Sequence, residues 1–193
     1  SKLFYLKYIG ASLNNIGFLA RSQGDIAKAL EYYNKSLKIY EEIKEPQGTA
    51  VTINNIGFIY QNLGDIPKAL DYYHRSLKIQ EAIKDKKGTA TSLKKIGISY
   101  NNQGVILSAL EYYQKSLKIY EEIKHKTGTA YSLNNIGYVY NSKGDIPKAL
   151  EYYHKSLKIY EEIKDKKGIA ISLNNMGGAY NKAGNFHMTI EYC

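Results

Sequence analysis

Glycine returns along this chain at a fixed step of 40 residues. Gly17, Gly57, Gly97, Gly137 and Gly177 form one series, Gly24, Gly64, Gly104, Gly144 and Gly184 a second, and Gly48, Gly88, Gly128 and Gly168 a third. Segments 49–88 and 129–168 are identical at 28 of 40 positions without a gap. A chain with one irregular core does not hold such a register, so the 193 residues read as a tandem array of one structural unit. A single unit cannot bury its own apolar face and stacks on its neighbours to do so. The expected organisation is a single domain, 1–193, of repeats 1–48, 49–88, 89–128, 129–168 and 169–193. The last repeat is incomplete, and the whole reads as a piece of a longer protein.

Each unit has the pattern of two helices. Ile53, Ile56, Gly57 and Tyr60 fall at i, i+3, i+4 and i+7, one stripe of a helix. Gly64 is placed to end that helix, Asp65 to cap the next, and Pro67 and Pro147 sit in a first turn, where a missing amide donor costs little. Ala69, Leu70, Tyr73, Leu77 and Ile83 form the apolar stripe of the second helix. Lys84, Lys86 and Lys87 are expected at its C-terminal end, with Gly88 closing it. The first helix of repeat one is expected to extend back through Leu3, Phe4 and Leu6. Strand periodicity is absent.

Composition excludes several classes. No run approaches the roughly 20 apolar residues of a membrane-spanning helix, so membrane insertion is not expected. The one cysteine, Cys193, rules out an internal disulfide and a cysteine-based metal site. His74 and His154 share one repeat position a full repeat apart, a poor arrangement for a metal, and His125 and His187 have no evident partner. No phosphate loop, nucleophile elbow or His-Glu metal motif is present, and near-identical repeats offer few unique residues for an active site. The expectation is a chain without catalysis, cofactor, metal or small-molecule substrate. The net charge of +9 accrues repeat by repeat, without the single-sign block of a nucleic-acid arm.

The run Ile53-x2-Ile56-Gly57-x2-Tyr60 followed by Ala69-x3-Tyr73 resembles the tetratricopeptide repeat, with Ile for Trp and Tyr for Phe. The period is 40 rather than 34, read as a longer second helix, and Glu81 stands where the family's terminal proline often falls. This longer form is similar to the repeats of kinesin light chains, of G-protein-signalling adaptors and of bacterial sensor proteins. The resemblance implies an all-α fold, a right-handed superhelical solenoid of stacked antiparallel helix pairs. It also implies a protein or peptide ligand held in a concave groove, as in a scaffold or the sensor part of a signalling protein.

On the first helix, the stripe opposite the core is Val51, Asn55, Phe58 and Asn62. Its equivalents in the other repeats include Asn15 and Phe18, Lys95, Tyr131, Asn135 and Tyr138, and Asn175. The resemblance assigns this face to the groove. A carboxamide offers a donor and an acceptor and can pair with an extended backbone, so Asn15, Asn55, Asn135 and Asn175 are candidate peptide-binding residues, with Val51, Phe58, Tyr131 and Tyr138 beside them. Phe18, Phe58 and Tyr138 fit packing on a neighbouring repeat as well. Asn14, Asn54, Asn134 and Asn174 project 100° away and are read as structural, as are the tyrosine pairs Tyr72–Tyr73 and Tyr152–Tyr153. In repeat three Lys94 and Lys95 replace the asparagine pair. The resemblance implies that Lys95, with Lys94, meets a carboxylate of the ligand; a solvated lysine is the alternative. An RNA-binding helical array and a spacer associating end to end with further copies stand as rival functions, with nucleic acid the less favoured partner. The expected compartment is the cytoplasm.

Overall fold

A computed structural model describes residues 2–185, and all the secondary structure among them is helical. The helices are α1 (Lys2–Ser22), α2 (Ile26–Glu42), α3 (Pro46–Asn62), α4 (Ile66–Ala82), α5 (Lys86–Asn102), α6 (Ile106–Glu122), α7 (Lys126–Ser142), α8 (Ile146–Glu162) and α9 (Lys166–Lys182). Leu3, Phe4 and Leu6 lie in α1, as the sequence led one to expect. His187, Cys193 and the second helix expected of the last repeat lie outside the described residues. The chain forms two compact units, Ser1–Ser99 and Tyr100–Cys193, with the boundary inside α5.

Two kinds of three-residue turn join the helices into antiparallel hairpins. The turn within a hairpin is Leu63–Asp65: Gly64 takes φ 81°, the Asp65 amide donates back to the Tyr60 carbonyl at 3.0 Å, and the Asp65 carboxylate caps Lys68 N at 3.2 Å. Only a residue at ease with positive φ closes a helix this way, hence the glycine series at 24, 64, 104, 144 and 184. The turn between hairpins, Ile83–Asp85, has the same hydrogen-bond plan but places Lys84 at φ 58°.

The third glycine series therefore does not close the second helix. Gly88 lies in the first turn of α5, with Lys86 and Lys87 beside it, and of the three lysines only Lys84 belongs to the turn. Nor is the second helix the longer one, since α3 and α4 both have 17 residues. What Gly48, Gly128 and Gly168 provide is closeness: a Cβ on Gly128 would stand 2.5 Å from the Tyr120 ring. The first series does the same inside the hairpin, where a Cβ on Gly57 would stand 2.8 Å from Tyr73 and one on Gly137 2.7 Å from Tyr153. Fully buried Tyr33, Tyr73 and Tyr153 thus lie flat on backbone that has no side chain in the way.

In the first unit, Ala20, Ala29, Tyr33, Ile56 and Ile59 form one buried cluster, so the second hairpin is laid on the first. In the second unit, Ala149, Tyr153, Met176 and Ala179 play the same part. Tyr72 stacks on Tyr60 and Tyr152 on Tyr140, each at 5.5 Å, so the tyrosine pairs are packing residues, as expected.

Candidate functional site

The asparagine face divides by repeat position. Asn54 is buried: its amide donates to Ser76 Oγ at 2.7 Å and Ser92 Oγ at 2.9 Å. Asn134 is also buried, and Asn14 half-buried, whereas Asn174 is exposed. The next position is a rung between repeats. Asn55 Nδ2 donates to Asn14 Oδ1 at 3.1 Å, Asn175 Nδ2 to Asn134 Oδ1 at 3.2 Å, and Lys95 Nζ to the Asn54 carbonyl at 3.3 Å. Asn15 is exposed on α1, and Asn135 Nδ2 is buried with no hydrogen-bond partner. The inter-repeat reading of these amides is therefore realised at Asn55 and Asn175, with one of their two donor hydrogens committed to the neighbouring repeat.

Beneath this face runs a serine seam that the sequence reading passed over. Ser36 Oγ donates to Gly10 O at 2.8 Å, Ser76 to Ala50 O at 2.9 Å and Ser156 to Ala130 O at 2.8 Å. All three serines are fully buried, as is Ser116 between them, and the 40-residue spacing of the four was the available signal. A hydroxyl small enough to let two helices meet also satisfies a carbonyl there. His125, without an evident partner in the sequence, caps α7, its Nδ1 accepting from Gly128 N at 3.0 Å, where Glu45, Asp85 and Asp165 cap α3, α5 and α9.

In the first unit the face carries a row of cations and rings. The Arg21 guanidinium sits over Phe18 at 4.8 Å and over Phe58 at 4.5 Å. Lys95 Nζ stands 5.5 Å from the centre of Phe58 and 5.3 Å from that of Tyr73. The Phe58 ring thus holds cations from α1 and α5, and Arg21 was not anticipated. Lys95 is half-buried and no carboxylate pairs with it; burial, then Lys94 and Arg21, brings its amine down to about 7. Burial lowers Lys94 as well. Lys95 is therefore not the solvated lysine of the alternative reading.

Beside this row lies a cavity of about 370 Å³, reached by Val51, Asn55, Asn54, Gln80, Asp85 and Lys95. The matching positions one repeat earlier, including Asn14, Tyr40, Glu45 and Gly48, enclose only about 230 Å³. Gln80 stands where Tyr40 stands, and the shorter side chain accounts for the added space. Val51 is exposed at this cavity, while Tyr131 and Tyr138 are exposed on α7 of the second unit. Among the described residues no helix is long and apolar enough to cross a membrane.

The model of the tetratricopeptide repeat matches residues 8–57, 48–122 and 126–192. No curated protein matches the chain significantly. Solved structures do. BtubC (BKLC) from P. vanneervenii is similar with a TM-score of 0.84 and 20% identity, over 97% of this chain and 78% of that one. A kinesin light chain of Podosopora anserina with nearly identical TPR-like repeats gives 0.76 and 14%, over 97% and 92%. The apo form of RapI gives 0.78 and 20%, over 93% of this chain but 50% of RapI, so the chain spans half of that protein. At these identities the likeness is one of fold. Tetratricopeptide repeats serve in general as protein–protein interaction modules, and with their model matching most of its length this chain belongs to the tetratricopeptide repeat family.

Proposed function

We propose that the chain is a non-catalytic protein-interaction module that holds a segment of a partner protein along the asparagine-bearing face of its first helices. The observation that carries this reading is the cavity of about 370 Å³ on that face of the first unit, where Val51, Asn55 and Lys95 meet. Asn55 and Asn175 spend one donor hydrogen each on the neighbouring repeat, which orients the carboxamide and leaves a donor and the carbonyl oxygen for a ligand backbone. Stacked repeats hold these groups in place before the ligand arrives, which lowers the ordering cost of binding. Asn15 and Asn135 extend the row, Val51, Tyr131 and Tyr138 offer apolar contacts to ligand side chains, and Lys94 and Lys95 supply charge.

The test is a pull-down with the wild-type chain beside an Asn55→Ala/Asn135→Ala variant, both checked for the same helicity. A protein retained by the wild type alone supports the face as the binding site. Equal retention places the site on the second helices or elsewhere. Retention of salt-sensitive RNA in place of protein would give the function to nucleic acid.

A further inference from the structure

α1 carries an apolar stripe on the side turned away from α2. Tyr5, Tyr8, Ser12, Ile16 and Leu19 fall within a sector of about 80° of that helix. Tyr5 is 66% exposed, Tyr8 68%, Ile16 41% and Leu19 55%. Every later first helix buries the matching positions. Ile56, Ile96, Ile136 and Met176 are at most 1% exposed, and Ile59, Ser99, Val139 and Ala179 are fully buried. In α3 the cover is the preceding hairpin, through Ala20, Ala29 and Tyr33. The stripe on α1 thus continues the surface by which hairpins join, and nothing within the described residues lies on it.

α1 is nevertheless not shaped for another hairpin of this repeat. Tyr8 stands where the later helices have Gly48, Gly88, Gly128 and Gly168, and a Cβ at each of those would run into a side chain of the preceding second helix. Tyr8 fills that space itself. Leu3, Phe4 and Tyr5 are helical where Ile43, Lys44 and Glu45 make the turn between hairpins, so the turn is missing as well. What the stripe does offer is complementarity to itself. Positions 5 and 19, and 8 and 16, lie symmetrically about Ser12. Two α1 helices crossing antiparallel at Ser12 set Tyr5 against Leu19 and Tyr8 against Ile16, each twice, as a two-fold interface requires. The small Ser12 side chain lets the helices approach at the crossing. No charge falls in the stripe, and Lys7 is drawn aside to Glu45 at 2.9 Å.

We propose that two copies of this chain pair through α1, antiparallel and crossing at Ser12, so that each stripe covers the other. The four large side chains of each copy bury roughly 1,000 Å² in all, at the small end of specific interfaces, and association in the micromolar range is expected. Phe18 projects about 120° around the helix from Ser12, so pairing leaves the asparagine-bearing face open to a ligand. The surface is independent of the proposed groove.

The test is sedimentation equilibrium of the whole chain over about 1 to 200 µM. Wild type is expected to pass from monomer to dimer and to form nothing larger. Tyr8→Glu/Leu19→Glu changes two exposed positions, so helicity is expected to hold while the dimer weakens by more than about tenfold. The register is read separately. Ser12→Cys in a Cys193→Ser background is expected to give a disulfide-linked dimer under mild oxidation, since the two-fold axis brings position 12 to itself. Ser142→Cys, exposed on α7, is expected to give none in the same background. The proposal is overturned by a monomer at every concentration, by an equally strong dimer in the glutamate variant, or by linkage at 142 as fast as at 12. Growth beyond the dimer overturns it too, because that is head-to-tail stacking. A monomer that sediments with vesicles of phosphatidylserine and phosphatidylcholine gives the stripe to a membrane surface and likewise overturns the pairing.

Discussion

The two units are built on one pattern and keep their open space in different places. In Ser1–Ser99 the large cavity lies between first helices and is lined by amides and Lys95. In Tyr100–Cys193, cavities of about 340 and 560 Å³ lie against the second helices, lined by Glu121, Lys124, Ile159 and Glu162 among others. The difference comes from few side chains. Tyr120 and Tyr160 press on Gly128 and Gly168, as Tyr40 does on Gly48, whereas at the one changed repeat of the first unit Gln80 stands over Gly88 and turns inward to accept from Ser92 Oγ at 2.6 Å. A repeat array thus gains an individual site by changing one or two positions while the backbone plan is unchanged.

The comparison predicts the largest divergence at the glycines under those side chains. Gly128→Ala drives a methyl into the Tyr120 ring and is expected to cost about 2–3 kcal/mol. Gly88→Ala meets the ends of the Gln80 and Asp85 side chains in place of a ring and gains helix propensity, so it is expected to cost less than Gly128→Ala, about 1 kcal/mol. Urea unfolding reads both. The same alanine at 88 in a Gln80→Tyr background should become as costly as Gly128→Ala. If it does not, the tyrosine is not what distinguishes the other repeats from the one that carries Gln80.

The serine seam gives a smaller contrast. Ser76→Ala strips a carbonyl of its donor and also takes a partner from buried Asn54, for an expected loss of about 2 kcal/mol. Ser156→Ala costs Ala130 O its side-chain donor and removes the long contact with Ser172 Oγ at 3.4 Å, and should lose about 1 kcal/mol. Equal losses would mean that the Asn54–Ser76–Ser92 network contributes nothing to the first unit. The smallest effect lies at a cap. Asp25 and Asp65 cap α2 and α4 in the first unit, while α6 begins after Val105, which makes no side-chain cap. Val105→Asp is expected to raise stability by about 0.5–1 kcal/mol, seen as a higher urea midpoint with unchanged slope.

The hairpins, their core stripes and the turn at Gly64 were legible because each depends on periodicity or on a backbone angle that few residue types adopt. The role of Gly88 was not, because close approach and helix termination both select glycine, and only a neighbour distant in sequence distinguishes them. At Lys84 the angle that favours glycine is held by lysine, so the true helix end carried no glycine to mark it. The asparagine ladder was visible as a pattern. That Asn55 spends a hydrogen on Asn14, and that Lys95 folds onto Asn54 O between two rings, depends on the stagger between repeats, which one repeat's spacing does not contain.

The equal lengths of α2 to α9 and of the turns between them bear on how the chain forms and evolves. The side-chain hydrogen bonds that tie one hairpin to the next join residues 12 to 41 positions apart, at most little more than one repeat. Ordering can start in any hairpin and spread to its neighbour without closing a longer loop, which favours rapid folding and local rather than global opening. The same short reach means that a recombination event adding or removing 40 residues in register rebuilds its junction from contacts the protein already makes. Length in such a chain can change by whole steps while each surviving side chain keeps its former company.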